Sequence, residues 1–389
     1  MRILHTSDWH IGKRLAGKER LEEQRAVLDE IAEICARERV ELVLVAGDVF
    51  DTFLPSAEAE DLFYRAVRRI TAQERCLLAI SGNHDDPVRL SAATALSEEL
   101  GIYIYGNAER SPKPFAGKNV RAAEAGRDHI VFENDAGERV FVHVLPYPNE
   151  ARLKEDKNPD ESFTDKMRRW IAAGERENKA GLPSVFLSHL FVAGGQVSEG
   201  EREIDLGGAR AVPLDLLPAC DYAALGHLHK KQGFRGGTVR YSGSILPYAF
   251  DEAGTQKSVV LFDLDRNGLH GLREIPLQSG KRLVRLEADG VESAVPLLRR
   301  WEGAYVELTL HLREPLSSAQ VRALKEANAG LVNLIPEIRG ELSGKAVAGK
   351  RTRSAGELFT EFYRAQFSED PAEGLKQLFL SLAEEAYEA

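Results

Sequence analysis

The side chains able to do chemistry in this chain fall in five short stretches: Asp8-Trp9-His10, Gly47-Asp48, Ser81-Gly82-Asn83-His84-Asp85, Ser188-His189 and Gly226-His227-Leu228-His229. Asp8, His10, Asp48, Asn83, His189, His227 and His229 are candidate metal ligands. Carboxylate, amide oxygen and imidazole donors in this mixture suit a pair of borderline divalent ions, whereas a structural zinc site would be rich in cysteine. A carboxylate such as Asp48 can bridge two such ions about 3.5–4 Å apart. The spacings Asp-x-His and His-x-His predict extended backbone, with both donors on one side and the residue between them on the other. A lone histidine is more often a packing or surface residue, and His5, His129, His143, His270 and His311 are read that way. The candidate ligands stand apart because each follows an apolar run.

Those runs are the elements that must position the donors. Arg2 to Thr6, Glu41 to Ala46, Cys76 to Ile80 and Ser184 to Leu190 predict buried strands. Helical periodicity falls between them, over Glu19 to Arg39 and Ser56 to Gln73. After Asn83, Asp86 can cap a third helix with Pro87 in its first turn, ended by Gly101. Strand and helix alternating in this order predict an α/β layered core, with donors collected where strands end and loops begin. Val120 to Tyr147 predicts shorter β segments, and Asn149 to Ala180 an outer helix with Met167, Trp170 and Ile171 inward. Arg240 to Ser244 and Ser258 to Leu264 are the last strands of this unit. From about Lys281, strands alternating with helices at Ser293 to Arg300 and Ser317 to Asn328 predict a small α+β domain. A polar, basic stretch follows, and then two amphipathic helices. Leu358, Phe359, Phe362, Tyr363 and Phe367 share one face of the first; Leu375, Leu378, Phe379 and Leu382 share one face of the second. Such a face needs a groove to fill.

The 389 residues predict two or three compact units. No apolar stretch is long enough to span a bilayer, and the first residues lead directly into a strand, so no membrane association is expected. Cys35, Cys76 and Cys220 are read as buried free thiols of a reducing cytoplasm. A net charge of −10 argues against whole-surface attraction to nucleic acid. An acidic enzyme acting on a polyanion would need metal ions, a basic rim or a partner subunit.

Taken together, Asp8-x-His10, Gly47-Asp48, Gly82-Asn83-His84-Asp85, His189 and Gly226-His227-x-His229 resemble the full motif set of the calcineurin-like metallophosphoesterases. More narrowly, the stretches from Met1 to His10 and from Val45 to Thr52 resemble the bacterial SbcD nuclease-subunit family, and the likeness extends over nearly the whole chain. It implies a four-layer α/β/β/α core (1–278), an α+β DNA-capping domain (279–340), a linker (341–353) and a helical ATPase-binding tail (354–389). By matching position, one metal would take Asp8, His10, Asp48 and His229, and the other Asp48, Asn83, His189 and His227. Manganese is the ion implied; these ligands would also accept magnesium, iron or zinc. A two-metal-activated hydroxide would then attack a phosphodiester in line, with His84 as the proton donor to the departing oxygen. Asp51 stands where related phosphatases pair a carboxylate with that histidine, although archaeal and eukaryotic members carry histidine there.

The implied function is a metal-dependent DNA nuclease subunit of an ATP-regulated complex in DNA end processing, repair and recombination. It would act as a 3′-5′ exonuclease on double-stranded ends and an endonuclease on single strands and hairpins. Its implied partners are DNA, an SbcC-type ATPase that docks the tail, and a second copy contacting Ser56 to Leu100. Lys13, Arg14, Lys230 and Lys231, with Lys18 and Arg20 nearby, are candidate contacts to the DNA backbone of a nucleoid-associated cytoplasmic enzyme. The enzymatic rival is a phosphomonoesterase or small-molecule phosphodiesterase. Protein phosphatases of the superfamily follow Gly-Asp-x-x-Asp with Arg-Gly, whereas Thr52-Phe53 follows Asp51 here. A non-catalytic scaffold is the third reading, and the filled ligand positions argue against it.

Overall fold

A computed structural model describes residues 1–106, 119–149, 161–199, 201 and 211–338, with scattered positions from 359 to 379. The linker expected at 341–353 lies outside the described residues, as do Leu358, Phe362, Phe367, Leu378 and Leu382 of the tail.

The chain opens as β1 (Arg2–Thr6), α1 (Leu21–Arg37), β2 (Leu42–Val45), α2 (Ala57–Thr71) and β3 (Cys76–Ile80), with the strands parallel. Ser56 caps α2 by accepting from Ala59 N–H at 3.3 Å. The expected third helix is broken. Asp86 caps α3 (Pro87–Leu90) as predicted, but α4 (Thr94–Ser97) and a 3-10 turn follow as separate pieces. The reason is local competition for backbone groups. Ser91 Oγ donates to Pro87 O and accepts from Gly106 N–H, and Ser97 Oγ reaches Ile102 O. Gly101, at φ 74°, turns the chain directly into a strand that periodicity does not reveal, β4 (Ile102–Tyr105).

Next come β5 (Val120–Ala125), β6 (His129–Asn134), β7 (Arg139–Leu145), α5 (Phe163–Glu175), β8 (Ser184–His189), β9 (Tyr222–Gly226), β10 (Gln232–Phe234) and β11 (Val239–Tyr241). They form a second sheet of order β10-β11-β9-β8-β7-β6-β5. The hairpin β12 (Ser258–Asp265) and β13 (Gly268–Pro276) returns to the first sheet, giving the order β13-β12-β1-β2-β3-β4. β13 has no counterpart among the expected strands, because two glycines and the charged or polar residues between them and Pro276 obscure its alternation.

Period-two alternation then sets the layers. Leu42 and Leu44 face the second sheet and pack with Val142, Val185 and Leu187. Val43 and Val45 face the opposite way, onto Val27, Ile31, Leu62, Phe63 and Val67 of α1 and α2. Beyond the second sheet, Phe186, Ala223 and Leu225 pack with Met167 and Ile171 of α5, while Trp170 is only half-buried. Helix, sheet, sheet, helix is the four-layer core expected. Cys35 and Cys76 are buried, but Cys220 is partly exposed, just before β9 begins.

A third sheet, β14-β15-β16, is built from β14 (Leu283–Asp289), α6 (Gly290–Arg300), β15 (Tyr305–Leu312), α7 (Ser318–Ala327) and β16 (Leu331–Ile338). Ser317 and Gln320 form a reciprocal capping box at α7. The chain divides into two compact units, Met1–His311 with Leu316–Glu337, and Leu312–Pro315 with Ile338–Ala389. In the second unit Phe359 stacks on Phe379, centroids 4.3 Å apart, and meets Tyr363 at 6.0 Å. Aromatic rings expected to face a partner therefore also pack on one another.

Candidate metal centre

Both central sheets end their parallel strands at one shared edge. The loops after β1 and β2 are zipped together there: Asp8 N–H donates to Gly47 O (3.0 Å), His10 N–H to Asp48 O (3.0 Å) and Ile11 N–H to Val49 O (2.9 Å). Asp8, His10 and His227 do not take the extended backbone that the two-residue spacing predicts. Asp8 (φ 52°), His10 (φ 45°), Asp48 (φ 50°) and His227 (φ 107°) all have positive φ. Such conformations cost of order 1–3 kcal/mol each and persist only where the surroundings enforce them. The turns carry Asp8 and His10 into the site while Trp9 is buried against Phe63. Two glycines give the donors room. A Cβ on Gly82 would stand 2.1 Å from Asp48 Oδ1, and one on Gly47 2.4 Å from His189 Nδ1.

All the candidate ligands meet, and all are buried. Asp8, His10 and Asp48 come from the loops after β1 and β2, Asn83 from the loop after β3, and His189, His227 and His229 from the ends of β8 and β9. Asn83 Oδ1 lies 2.8 Å from His189 Nε2 and 3.1 Å from His227 Nδ1. Asp48 Oδ2 is 3.5 Å from His189 Nε2 and 3.6 Å from His10 Nε2. His10 and His229 bring their Nε2 atoms within 3.0 Å of each other. Donor atoms of Asp8, His10 and His229 lie within 4.8 Å of one another, as do those of Asp8, Asp48 and His189, and those of His10, Asp48 and His84. His227 Nε2 is buried with no hydrogen-bond partner among the described residues. Two buried carboxylates, an amide oxygen and converging imidazoles fit divalent metal ions.

Burial and neighbouring charges act differently on the individual donors. Burial lowers His10 and His227 to about 3, so both imidazoles keep their lone pairs. Burial pushes Asp48 upward, but His189, His84 and His10 overcome it and hold the carboxylate well below its ordinary range. Burial alone would lower His189 too; Asp48 and Asp8 instead raise it to about 9.

His84 is 6% exposed, its ring packed edge-on against His10 at 4.7 Å. Its Nδ1 lies 2.7 Å from the main-chain oxygen of Asp51 but 4.0 Å from the Asp51 carboxylate. That carboxylate accepts from Lys13 Nζ (2.9 Å) and sits 3.5 Å from His10 Nδ1. The other candidate DNA contacts are likewise paired: Arg14 with Glu19 (2.6 Å), Lys230 with Asp251 (2.9 Å) and Lys231 with Glu274 (2.7 Å). Arg20 is a correction. It is buried between the rings of Tyr248 and Tyr305 and paired with Glu23, so it is not on the surface.

Several residues around the donors escaped the sequence reading. Asp85 accepts from the N–H groups of Gly82, Val49 and Phe50, tying the second loop to the third. Gln24 of α1 donates to His10 O at 2.7 Å, and Tyr248 O–H donates to Trp9 O. Glu201 and Glu252 approach His229. Only Asp85 carried a signal, its place in the Gly-Asn-His-Asp run.

A family model described as calcineurin-like phosphoesterase matches residues 1–231. The chain is 35% identical over 398 aligned residues to the SbcD subunit of the nuclease SbcCD from Bacillus subtilis, covering 98% of each chain. It is 37% identical to the SbcD subunit from Rhodobacter capsulatus, covering 87% of this chain and 88% of that one. A third SbcD relative, from Staphylococcus epidermidis, is 28% identical over 74% of this chain and 73% of its own. With its donor loops all inside the matched region, the chain belongs to the calcineurin-like phosphoesterases, in the family of the SbcD nuclease subunits.

Proposed function

We propose that this chain is the metal-dependent nuclease subunit of an SbcCD-type complex, cleaving double-stranded DNA ends as an exonuclease and single strands and hairpins as an endonuclease. The observation that carries this reading is the convergence of the buried carboxylates, Asn83 and the four ligand histidines from both sheets on one point. One divalent ion, manganese by preference, would be held by Asp8, His10, Asp48 and His229. A second would be held by Asp48, Asn83, His189 and His227. When bound, such ions acidify water and offset charge on phosphoryl oxygens.

The chain's own residues supply the rest. A carbonyl can only accept, so the Asp51 main-chain oxygen places a proton on His84 Nδ1. The second proton of the imidazolium then sits on Nε2, available to the departing sugar oxygen, and the Asp51 carboxylate favours that charged form. Lys13, Arg14, Lys230 and Lys231 would exchange their carboxylate partners for DNA phosphates, a step sensitive to salt. Leu54 (75% exposed), Val88 (71%) and Leu96 (74%) surround the α2–α4 region and suit contact with a second copy in a cytoplasmic homodimer. The tail would engage the ATPase subunit, whose ATP cycle regulates cleavage.

The test compares turnover of a labelled DNA hairpin with that of p-nitrophenyl phosphate by the purified chain, with manganese and with and without the ATPase subunit. Hairpin cleavage is expected to dominate. Turnover of the monoester alone would favour a phosphomonoesterase. His84→Asn is expected to lower cleavage by about 10²–10⁴ while sparing metal binding.

A further inference from the structure

A lysine and a glutamate are buried together beneath His229, outside the proposed ligand sets. Glu252 is fully buried and Lys257 only 7% exposed. Lys257 Nζ donates to the His229 carbonyl (2.9 Å), to Ser244 Oγ (2.8 Å) and to the Glu252 carboxylate. Glu252 Oε1 accepts from Tyr248 N–H at 3.2 Å and lies 3.5 Å from His229 Nδ1. From the other side, Glu201 Oε1 accepts the His229 N–H at 2.7 Å. His229 is thus hydrogen-bonded at its amide and its carbonyl, with the Glu252 carboxylate facing Nδ1 at 3.5 Å, while Nε2 faces His10 within the donor cluster.

A buried ion pair is weak as a source of stability, because desolvation of two charges cancels much of their attraction. Its placement against one imidazole has a more specific consequence. A carboxylate beside Nδ1 keeps the proton there and leaves the Nε2 lone pair pointing into the site. We propose that Glu252, itself held by Lys257, is a positioning residue that sets the tautomer and ring orientation of His229 for a divalent cation. This rests on the metal-centre reading above.

The test is calorimetric titration of the full chain with manganese, in the absence of nucleic acid. The unsubstituted chain is expected to bind two ions. Glu252→Ala is expected to weaken one of them by about 10–100-fold and leave the other unchanged. Glu252→Gln, whose amide oxygen can face Nδ1–H in the same place, should recover part of that loss. Glu252→Ala leaves Lys257 buried without its counter-charge. The paired Glu252→Leu and Lys257→Met variant removes both charges and should show the same loss in a chain that stays folded. Two ions bound at unsubstituted affinity by either folded variant, or equal losses for Ala and Gln, would overturn the positioning role alone. An unsubstituted chain that binds no manganese would overturn the metal-centre reading itself.

Discussion

Asp85 offers the sharpest test of how the centre is assembled. Its side chain is fully buried, with Oδ2 accepting from Gly82 N–H (2.8 Å) and Val49 N–H (3.1 Å), and Oδ1 from Phe50 N–H (2.9 Å). These amides flank Asp48 on one loop and Asn83 on the other, so one carboxylate sets the distance between two loops that bear donors. Asp85→Ala removes the acceptor from all three N–H groups. Counting Val49 and Phe50 alone, at about 1–3 kcal/mol for each unsatisfied buried group, the loss is at least about 2 kcal/mol. Asp85→Asn keeps its oxygen for Gly82 and Val49 but presents its amide hydrogens to Phe50 N–H, so about 1–3 kcal/mol is expected. Urea unfolding followed by tryptophan fluorescence, to which buried Trp9 contributes with Trp170 and Trp301, measures both values. Manganese titration of the folded Asn variant should show weakened binding, because Asp48 and Asn83 no longer share a fixed spacing. An Ala variant within about 1 kcal/mol of the unsubstituted chain would refute the loop-tie account, since the Val49 and Phe50 amides left without their acceptor cannot cost so little.

Three further outcomes are expected. Gly82→Ala drives a methyl group to 2.1 Å from Asp48 Oδ1, so manganese stoichiometry should fall while the far-ultraviolet circular dichroism stays unchanged; retention of two ions would contradict the packing. Burial lowers His143, remote from the centre, to about 4. The unfolded chain therefore takes up its proton near the ordinary histidine value while the folded chain does not, and stability falls as pH drops below about 6.5. The contribution is about 2 kcal/mol at pH 5, and His143→Phe should remove that share of the difference in unfolding free energy between pH 7 and pH 5. An unchanged difference would count against a buried neutral imidazole. Finally, Leu54→Glu combined with Leu96→Glu should give a monomer by sedimentation velocity if the exposed apolar face mediates self-association; an unaltered dimer would place the contact elsewhere.

The amino-acid sequence by itself determined most of the core strands, the order of donors along the chain and a layered α/β core, while the four-layer arrangement followed from the family resemblance. Runs such as Leu42 to Val45 are apolar on both faces because each face meets a different layer, and that composition is visible without coordinates. Family membership was legible for a related reason: a donor at a strand end followed by a turn residue is a local pattern. Tertiary structure alone decided how the donors share one side. Asp8, His10 and His227 reach the site through positive-φ turns, which neighbouring loops enforce and which two-residue spacing cannot encode. The supports behind the ligands were also beyond sequence reading. Glu252 reaches His229 from a loop that precedes β12, and Arg20 is buried by Tyr248 and Tyr305, far along the chain. Long-range pairings of this kind depend on which loops the two packed sheets bring to a common edge, a property of the whole fold and not of any segment.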